Sequence, residues 1–562
     1  MTTVDEALAE LSAPGAPYEI REQTINGRTM RAFAVGPHNF AEMVHLGHTF
    51  GDREWIVYQD ERYTFEQCYR IISGLAHELR TTYGIRPGDR VAIAARNYPE
   101  FLFFFWAVPS IGAVLVPLNA WWSVDEMVYG IEDSGAVALA VDGDRLALLR
   151  DRLPGLGLRG VVSLKADEDV DGVERWEDVR ARFDPAAELP EVEIEPEDLA
   201  TILYTSGTTG RARGVPQTHR NHQTDLLNMV IQAAALGRAA GVEPDPAAPQ
   251  PATLANMPFF HISQMISVVT TWNTGGKLVA TYKWDPELSL ELIEREHITA
   301  MSGVPLMVTA LLNSPSLKTR DLSSLVSYGF AATAAPPERV LRIRSEFGGR
   351  VAAMTGYGMT EATGAVTLIS GEEYWAHPDS VGKPMPVNVI KIVDEKGREV
   401  PTGETGELLV SGPNVVTGYW HKPEDSAKAF VDGWHRSGDI ARLDEEGRVY
   451  LVDRMKDIVI RAGENVYCGE VEAVLYEHPA VHTAVVIGLP HERLGEEVAA
   501  VVRLQPGTEA TAEDLQQHVR GRLAGFKVPS TVLIVDTDVP RTATGKVLKR
   551  ELRDRVAADL GR

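Results

Sequence analysis

Over most of the chain, short apolar runs alternate with segments whose apolar residues repeat at helical spacing. RVAIAAR from Arg90, AVLVPL from Ala113, VALAVD from Val137, GVVSL from Gly160 and ATILYT from Ala200 are the clearest runs. Because consecutive positions are apolar, these runs read as strands buried on both faces and joined by helical crossovers. The pattern predicts an α/β fold: a large N-terminal domain of parallel-rich sheets with flanking helices. The eighteen uncharged residues from Phe101 to Leu118 reach the lower length limit of a membrane-spanning helix. Pro109, Gly112 and Pro117 divide them instead into a buried helix started by Pro99 and a buried strand, so no integral membrane segment is expected.

Past Asp439 the pattern changes to shorter, more charged elements with strands such as AAVVRL and TVLIVD, and a small mobile α+β C-terminal domain is expected. The division falls within VDRMKD, giving residues 1–453, a hinge at 454–457 and residues 458–562. A helix beginning near Lys546 should close the chain, with Val547, Leu552, Val556 and Leu560 on one face. The acidic stretch from Ala166 to Asp198 reads as a surface excursion, and AAGVEPDPAAPQPA as a loop.

The chain has 562 residues and a formal net charge of −24, so general affinity for nucleic acid or anionic membrane is not expected. An anionic substrate would need local donors. The two cysteines, Cys68 and Cys468, lie far apart without metal-ligand spacing. With the acidic start MTTVDEALAEL, which has no apolar core of the signal-peptide kind, they fit a reducing cytoplasm.

Candidate chemistry concentrates after the run ATILYT. Tyr204 to Gly214, YTSGTTGRARG, packs three glycines, four aliphatic hydroxyls and two arginines into eleven residues. Such a loop offers backbone N–H groups, hydroxyl donors and positive charge, which is what a polyphosphate needs. No GxxxxGK[ST] occurs, so this is not a P-loop NTPase.

Tyr204 to Gly214 closely resembles the phosphate-binding signature of the adenylate-forming superfamily: acyl- and aryl-CoA synthetases, firefly luciferase and nonribosomal adenylation domains. Four further stretches match in order: Thr355 to Glu361, Gly433 to Asp439, Val452 onward, and PRTATGKVLKR. The resemblance implies that Thr205, Ser206, Gly207, Thr208, Thr209, Gly210, Arg213, Ala331, Thr355 and Gly356 surround the nucleotide. It places the adenine against Tyr357, the α-phosphate at Thr360, Mg²⁺ at Glu361, and the ribose at Asp439 and Arg454. The residue types suit those tasks: a flat ring, a hydroxyl, a hard carboxylate and a two-point acceptor. Lys546, a long cation after a flexible approach, is the implied catalytic lysine, and Lys456 the hinge residue. Ala462, Gly463 and Glu464 are the implied coenzyme A channel, and Phe260, His261, Gly329, Phe330, Ala331 and Gly358 the implied acyl pocket. Thr205, Thr360, Glu361 and His261 join Lys546 in catalysis.

Two stretches depart from the family pattern. Ala212-Arg213-Gly214 stands where Pro-Lys-Gly is usual, changing the shape and reach of the cation. In SYGFAATAAPPE, Phe330 adds bulk where relatives turn through Gly-Ala-Ala-Pro or Gly-Gly-Ala-Pro. Phe259, Phe260 and Phe330 read as an apolar wall, Trp121 and Trp122 as packing, and Cys468 as a small packing residue. The implied activity is ATP-dependent activation of a fatty or aryl acid through an acyl-AMP, with pyrophosphate release and transfer to coenzyme A. Two alternatives stay open: a non-CoA acceptor for the acyl-AMP, and a nucleotide-binding regulator without turnover. The partner is a small carboxylic acid, and monomer and homodimer both stay open.

Overall fold

The computed structural model describes residues 2–205, 211–242, 245, 247–330, 337–542 and 545–561. The apolar runs become strands of a seven-stranded sheet. Strands β1 (Arg90–Ala94), β2 (Val114–Pro117), β3 (Leu199–Thr205) and β4 (Arg213–Thr218) form one side of it, in the order β4-β3-β2-β1. Ala136–Asp142, Gly160–Leu164 and Glu174–Arg175 complete the other side. All pairings are parallel except β3 with β4, which run antiparallel with Thr205 opposite Arg213.

A second, nine-stranded sheet has a parallel centre. It holds β5 (Ala252–Ala255), β6 (Ala300–Gly303), β7 (Ser327–Phe330) and β8 (Ala352–Thr355), flanked on one side by Lys277–Ala280 and Glu54–Tyr58. Helix α1 (Pro99–Ser110) begins at Pro99 and is buried at every position, as a helix apolar all round must be. Its Phe105 and Trp106 meet Phe40, Trp55 and Trp272 in a core that also takes residues from both sheets. Two further helices matter for function. Helix α2 (His219–Ala239) starts at a capping box of Thr218 and Asn221, and α3 (Ile262–Thr274) ends at left-handed Gly275. Among the described residues no helix is long and apolar enough to cross a membrane.

The stretch from Ala166 to Asp198 is more than a surface excursion. Glu174–Arg175 adds the edge strand of the first sheet, and the helix Trp176–Ala181 buries Trp176 against Phe103 and Phe104 of α1. Trp176 is the signal that the acidic composition masked.

Beyond the second sheet lies a five-stranded antiparallel one that includes β9 (Trp434–Leu443) and β10 (Val449–Arg454). The last sheet takes Val459–Arg461, Glu464–Val466, Val481–His491, Gly495–Leu504 and Thr531–Ile534, covered by α4 (Cys468–Tyr476) and α5 (Lys549–Asp559). Helix α5 starts three residues later than the pattern implied, because Val547 pairs with Arg541 in a β-bridge first. Leu552 and Val556 are buried as expected, whereas Leu560 is exposed. Cys468 is buried, its thiol donates to the Asp457 carbonyl, and burial holds it far from ionising, which fits a packing role.

Candidate active site

A cavity of 2410 Å³ opens where the C-terminal ends of β7 and β8 face β3, β9 and the segment before α5. Thr205, Arg213, Thr355, Gly356, Tyr357, Thr360, Glu361, Asp439, Arg454 and Lys546 all line it. Ser206 to Gly210 and Ala331, the remaining nucleotide candidates, lie outside the described residues.

The turn after β8 is built by close backbone approach. A Cβ on Gly356 would fall 2.3 Å from the Thr367 carbonyl, and one on Gly358 2.3 Å from the Gly364 carbonyl. Thr360–Ala362 then makes a short 3₁₀ turn held by hydrogen bonds from several elements. Gln217 Nε2 donates to the Thr360 carbonyl at 2.8 Å, Val416 N–H to Glu361 at 2.9 Å, and Asn414 Nδ2 to Ala362 at 2.8 Å. One Glu361 carboxylate oxygen accepts from the Tyr419 hydroxyl at 2.9 Å. The guanidinium of Arg213 stacks over that same Tyr419 ring at 4.3 Å and lies 3.7 Å from Asp425. Tyr419 is a member that the motif reading missed. It reaches Glu361 across 58 residues of sequence, a separation without local spacing to betray it.

Asp439 and Arg454 sit opposite each other on β9 and β10 and form an ion pair at 3.2 Å. The second Asp439 oxygen accepts from the Tyr357 phenol at 2.6 Å. Burial, with the Asp439 charge beside it, holds that phenol well above its ordinary range. Tyr357 therefore acts on Asp439 as well as offering a ring face.

Lys546 enters from the far side. Its segment lies against the end of β6, where a Cβ on Gly545 would be 3.1 Å from Val304. Burial, reinforced by repulsion from Arg454 and Lys456, pushes the Lys546 ammonium down to about 8, and Asp439 and Asp457 oppose that shift. The charge of the same ammonium is felt at His261, whose imidazole is lowered to about 4 by burial first and Lys546 second. His261 caps α3: Nδ1 accepts the Ser263 backbone N–H at 3.3 Å and lies 2.8 Å from the Ser263 hydroxyl, an arrangement that suits a neutral ring with its proton on Nε2.

Below His261 the cavity continues along the face of the second sheet. Two rows of residues, small at every position but one, floor it: Thr253, Ala300 and Ser327 in register, then Ser302 and Gly329 with the longer Met354. Met229 of α2 and Ile266, Ser267 and Thr270 of α3 form the opposite wall. Phe260 lines this space and meets Trp121 edge-on at 5.4 Å. Phe330 lines the cavity at the end of β7, while its ring packs against Tyr328 and Tyr374 in the core rather than filling the space. Phe259 likewise turns inward against Phe101. Trp121 is 44% exposed beneath the Arg96 guanidinium, and Trp122 lines the cavity beside Tyr204. Trp122 thus borders the site in addition to packing, whereas Trp121 packs against Phe260 and Arg96.

The loop Ala462, Gly463 and Glu464 stands apart. It is the exposed tip between Val459–Arg461 and Glu464–Val466, and is not among the cavity-lining residues. Lys456 lines the cavity in the 3₁₀ turn that follows β10.

Comparison with known proteins gives the family. Residues 45–420 match the AMP-binding enzyme family, and residues 470–546 the AMP-binding enzyme C-terminal domain. Feruloyl-CoA synthase of Amycolatopsis sp is 35% identical over 494 residues, covering 88% of this chain and 94% of that protein. The long-chain-fatty-acid–CoA ligase of Bacillus subtilis (strain 168) is 32% identical, covering 90% and 92%. Among solved structures, o-succinylbenzoate CoA synthetase (MenE) from Bacillus subtilis with its acyl-adenylate intermediate matches with a TM-score of 0.77 at 28% identity, covering 91% of this chain and 98% of that one. The amide bond synthetase McbA from Marinactinospora thermotolerans matches with a TM-score of 0.79 at 27% identity, covering 92% and 99%. The chain belongs to the AMP-binding enzyme family.

Proposed function

We propose that the chain activates a ring-bearing or medium-length carboxylic acid in this cavity. The enzyme is an AMP-forming acid–thiol ligase: acid and ATP give an acyl-AMP and pyrophosphate, and the thiol of coenzyme A then displaces AMP. The observation that carries the site assignment is a half-buried lysine, Lys546, lining one cavity together with Asp439, Arg454 and His261.

In the first half-reaction a carboxylate oxygen attacks the α-phosphorus and the bond to pyrophosphate breaks, so catalysis consists of alignment and charge neutralisation. Lys546 is the cation that spans carboxylate and α-phosphate, aided by the hydroxyls of Thr205 and Thr360. Asp439, oriented by Tyr357 and Arg454, accepts the ribose hydroxyls. Ser206 to Gly210 and Arg213 take the departing phosphates, and Thr355, Gly356, Tyr357 and Ala331 the base. Neutral His261 can donate through Nε2 to the acyl oxygen without repelling Lys546.

Among the described residues no cluster of three or more His, Cys, Asp or Glu could hold a metal by itself. A single cavity-facing carboxylate, Glu361, suits Mg²⁺, which is bound by one or two carboxylates together with phosphates and water. When bound there, Mg²⁺ would neutralise phosphate charge.

For the second half-reaction the residues from 458 onward rotate about the 454–457 hinge, withdrawing Lys546 and carrying Ala462, Gly463 and Glu464 from their exposed position to the cavity. The acidic surface and the buried free cysteines support a reducing cytoplasmic setting. The acid class rests on the two rows of mostly small residues, with Phe260, His261, Gly329 and Gly358 at their inner end. Three strand residues span about 10 Å, room for a ring on a short chain. A feruloyl-CoA synthase and a medium/long-chain-fatty-acid–CoA ligase among the relatives favour the same reading.

Pyrophosphate release across acids from acetate to cinnamates and C8–C12 fatty acids, with and without coenzyme A, tests it. Release with cinnamates or medium chains, and acyl-CoA only when coenzyme A is present, is expected. No release with any acid would favour a non-catalytic nucleotide-binding regulator.

A further inference from the structure

We propose that His222, Thr201 and Gln217 form a one-directional hydrogen-bond relay that positions the Thr360–Glu361 turn for ATP. Thr201 on β3 and Gln217 on β4 face each other in register and are wholly buried; His222, in the first turn of α2, is 3% exposed. The Thr201 hydroxyl donates to Gln217 Oε1 at 2.9 Å and lies 2.9 Å from His222 Nε2. A hydroxyl has one proton, so towards His222 it can only accept, and Nε2 must carry the imidazole proton. Burial, with His219 next to it, lowers His222 to about 3, so the ring supplies that proton while neutral. With Oε1 occupied, the Gln217 amide nitrogen is the end that faces the Thr360 carbonyl, 2.8 Å away.

Each link fixes the next, from His222 N–H to Thr201 O–H to the Gln217 amide to Thr360. A flipped amide would set oxygen against oxygen at Thr360. The trio is costly to bury and apolar side chains could fill the same space, so its pairing is better explained by geometry delivered to the turn than by stability. The same Thr360 carbonyl accepts the Thr363 N–H at 3.0 Å, closing the 3₁₀ turn. None of the three touches the cavity; they are positioning residues.

This inference rests on Thr360 and Glu361 contacting the ATP phosphates, and the experiment separates the two ideas. Acid-dependent pyrophosphate exchange is measured for Gln217→Met, Thr201→Val and Thr201→Ser, beside Thr360→Val and Glu361→Gln. Gln217→Met and Thr201→Val are expected to lower kcat about tenfold with KM for the acid within about twofold, and Thr201→Ser to recover most of the loss. Unchanged kcat in Gln217→Met, a KM for acid that rises in step with falling kcat, or a serine variant no better than valine overturns the relay. Where Gln217→Met is too unstable to assay, the Thr201→Val and Thr201→Ser pair decides alone. If Thr360→Val and Glu361→Gln leave exchange intact, the ATP reading of the turn fails and the relay falls with it. If they abolish exchange while Gln217→Met is unaffected, only the relay fails.

Discussion

Lys546 concentrates the electrostatic problem of the site. Partly withdrawn from water and held near Arg454 and Lys456, this ammonium loses its proton more readily and is pushed down to about 8. It must be protonated to bind a carboxylate and a phosphate. The protonated fraction is full below that value and falls as pH rises through it, so kcat/KM for acyl-AMP formation should decline above about pH 8. Lys546→Arg should be slower, yet lose that alkaline limb, because guanidinium stays charged. A pH profile with the same limb in both proteins would assign the ionisation elsewhere. Residue types at this scale were legible in the sequence where one motif carries the cavity-lining group itself, as at Asp439. They were not legible where the task is shared over distance: Tyr419 joins Arg213 to Glu361, and Tyr357 orients Asp439, through contacts that no spacing encodes. Phe330 lines the cavity at the end of β7, but the direction of its ring was readable too. Along Ser327-Tyr328-Gly329-Phe330 the strand alternation alone sends both aromatics away from the face that Ser327 and Gly329 share.

At the scale of elements, the parallel strands β5 to β8 set the floor of the cavity, and small side chains on one face of three of them create its depth. Ser327 sits at the far end and Gly329 nearer Lys546. Ser327→Leu should therefore shorten the channel, lowering kcat/KM for the longest accepted acid at least tenfold while short acids change less than about threefold. Equal loss for all acids would place the acyl chain elsewhere. Consecutive apolar runs foretold the parallel strands because burial on both faces leaves such a pattern. Edge elements escaped, since Glu174–Arg175 is only partly buried and its short helix is mostly charged on the surface.

In the whole molecule, the arrangement described has Lys546 in the cavity and the Ala462–Glu464 loop outside it. Asp453, at the end of β10, helps to hold it so: its carboxylate accepts the first two N–H groups of α4, those of Cys468 and Gly469, across the proposed hinge. Burial raises Asp453, and Lys549 opposes that rise. Asp453→Ala removes a helix-capping interaction typically worth about 1 kcal/mol. It should slow acyl-AMP formation several-fold while leaving thioester formation from supplied acyl-AMP unchanged or faster. Equal slowing of both steps would show that the contact does not favour one arrangement.

The division of labour between the two steps depends most directly on Lys546→Ala, assayed for each half-reaction separately. Pyrophosphate release from acid and ATP should fall by several orders of magnitude, while acyl-AMP supplied with coenzyme A should still yield acyl-CoA at close to the wild-type rate. Comparable loss in both half-reactions, or retained pyrophosphate release, would contradict the assignment of Lys546 to acyl-AMP formation.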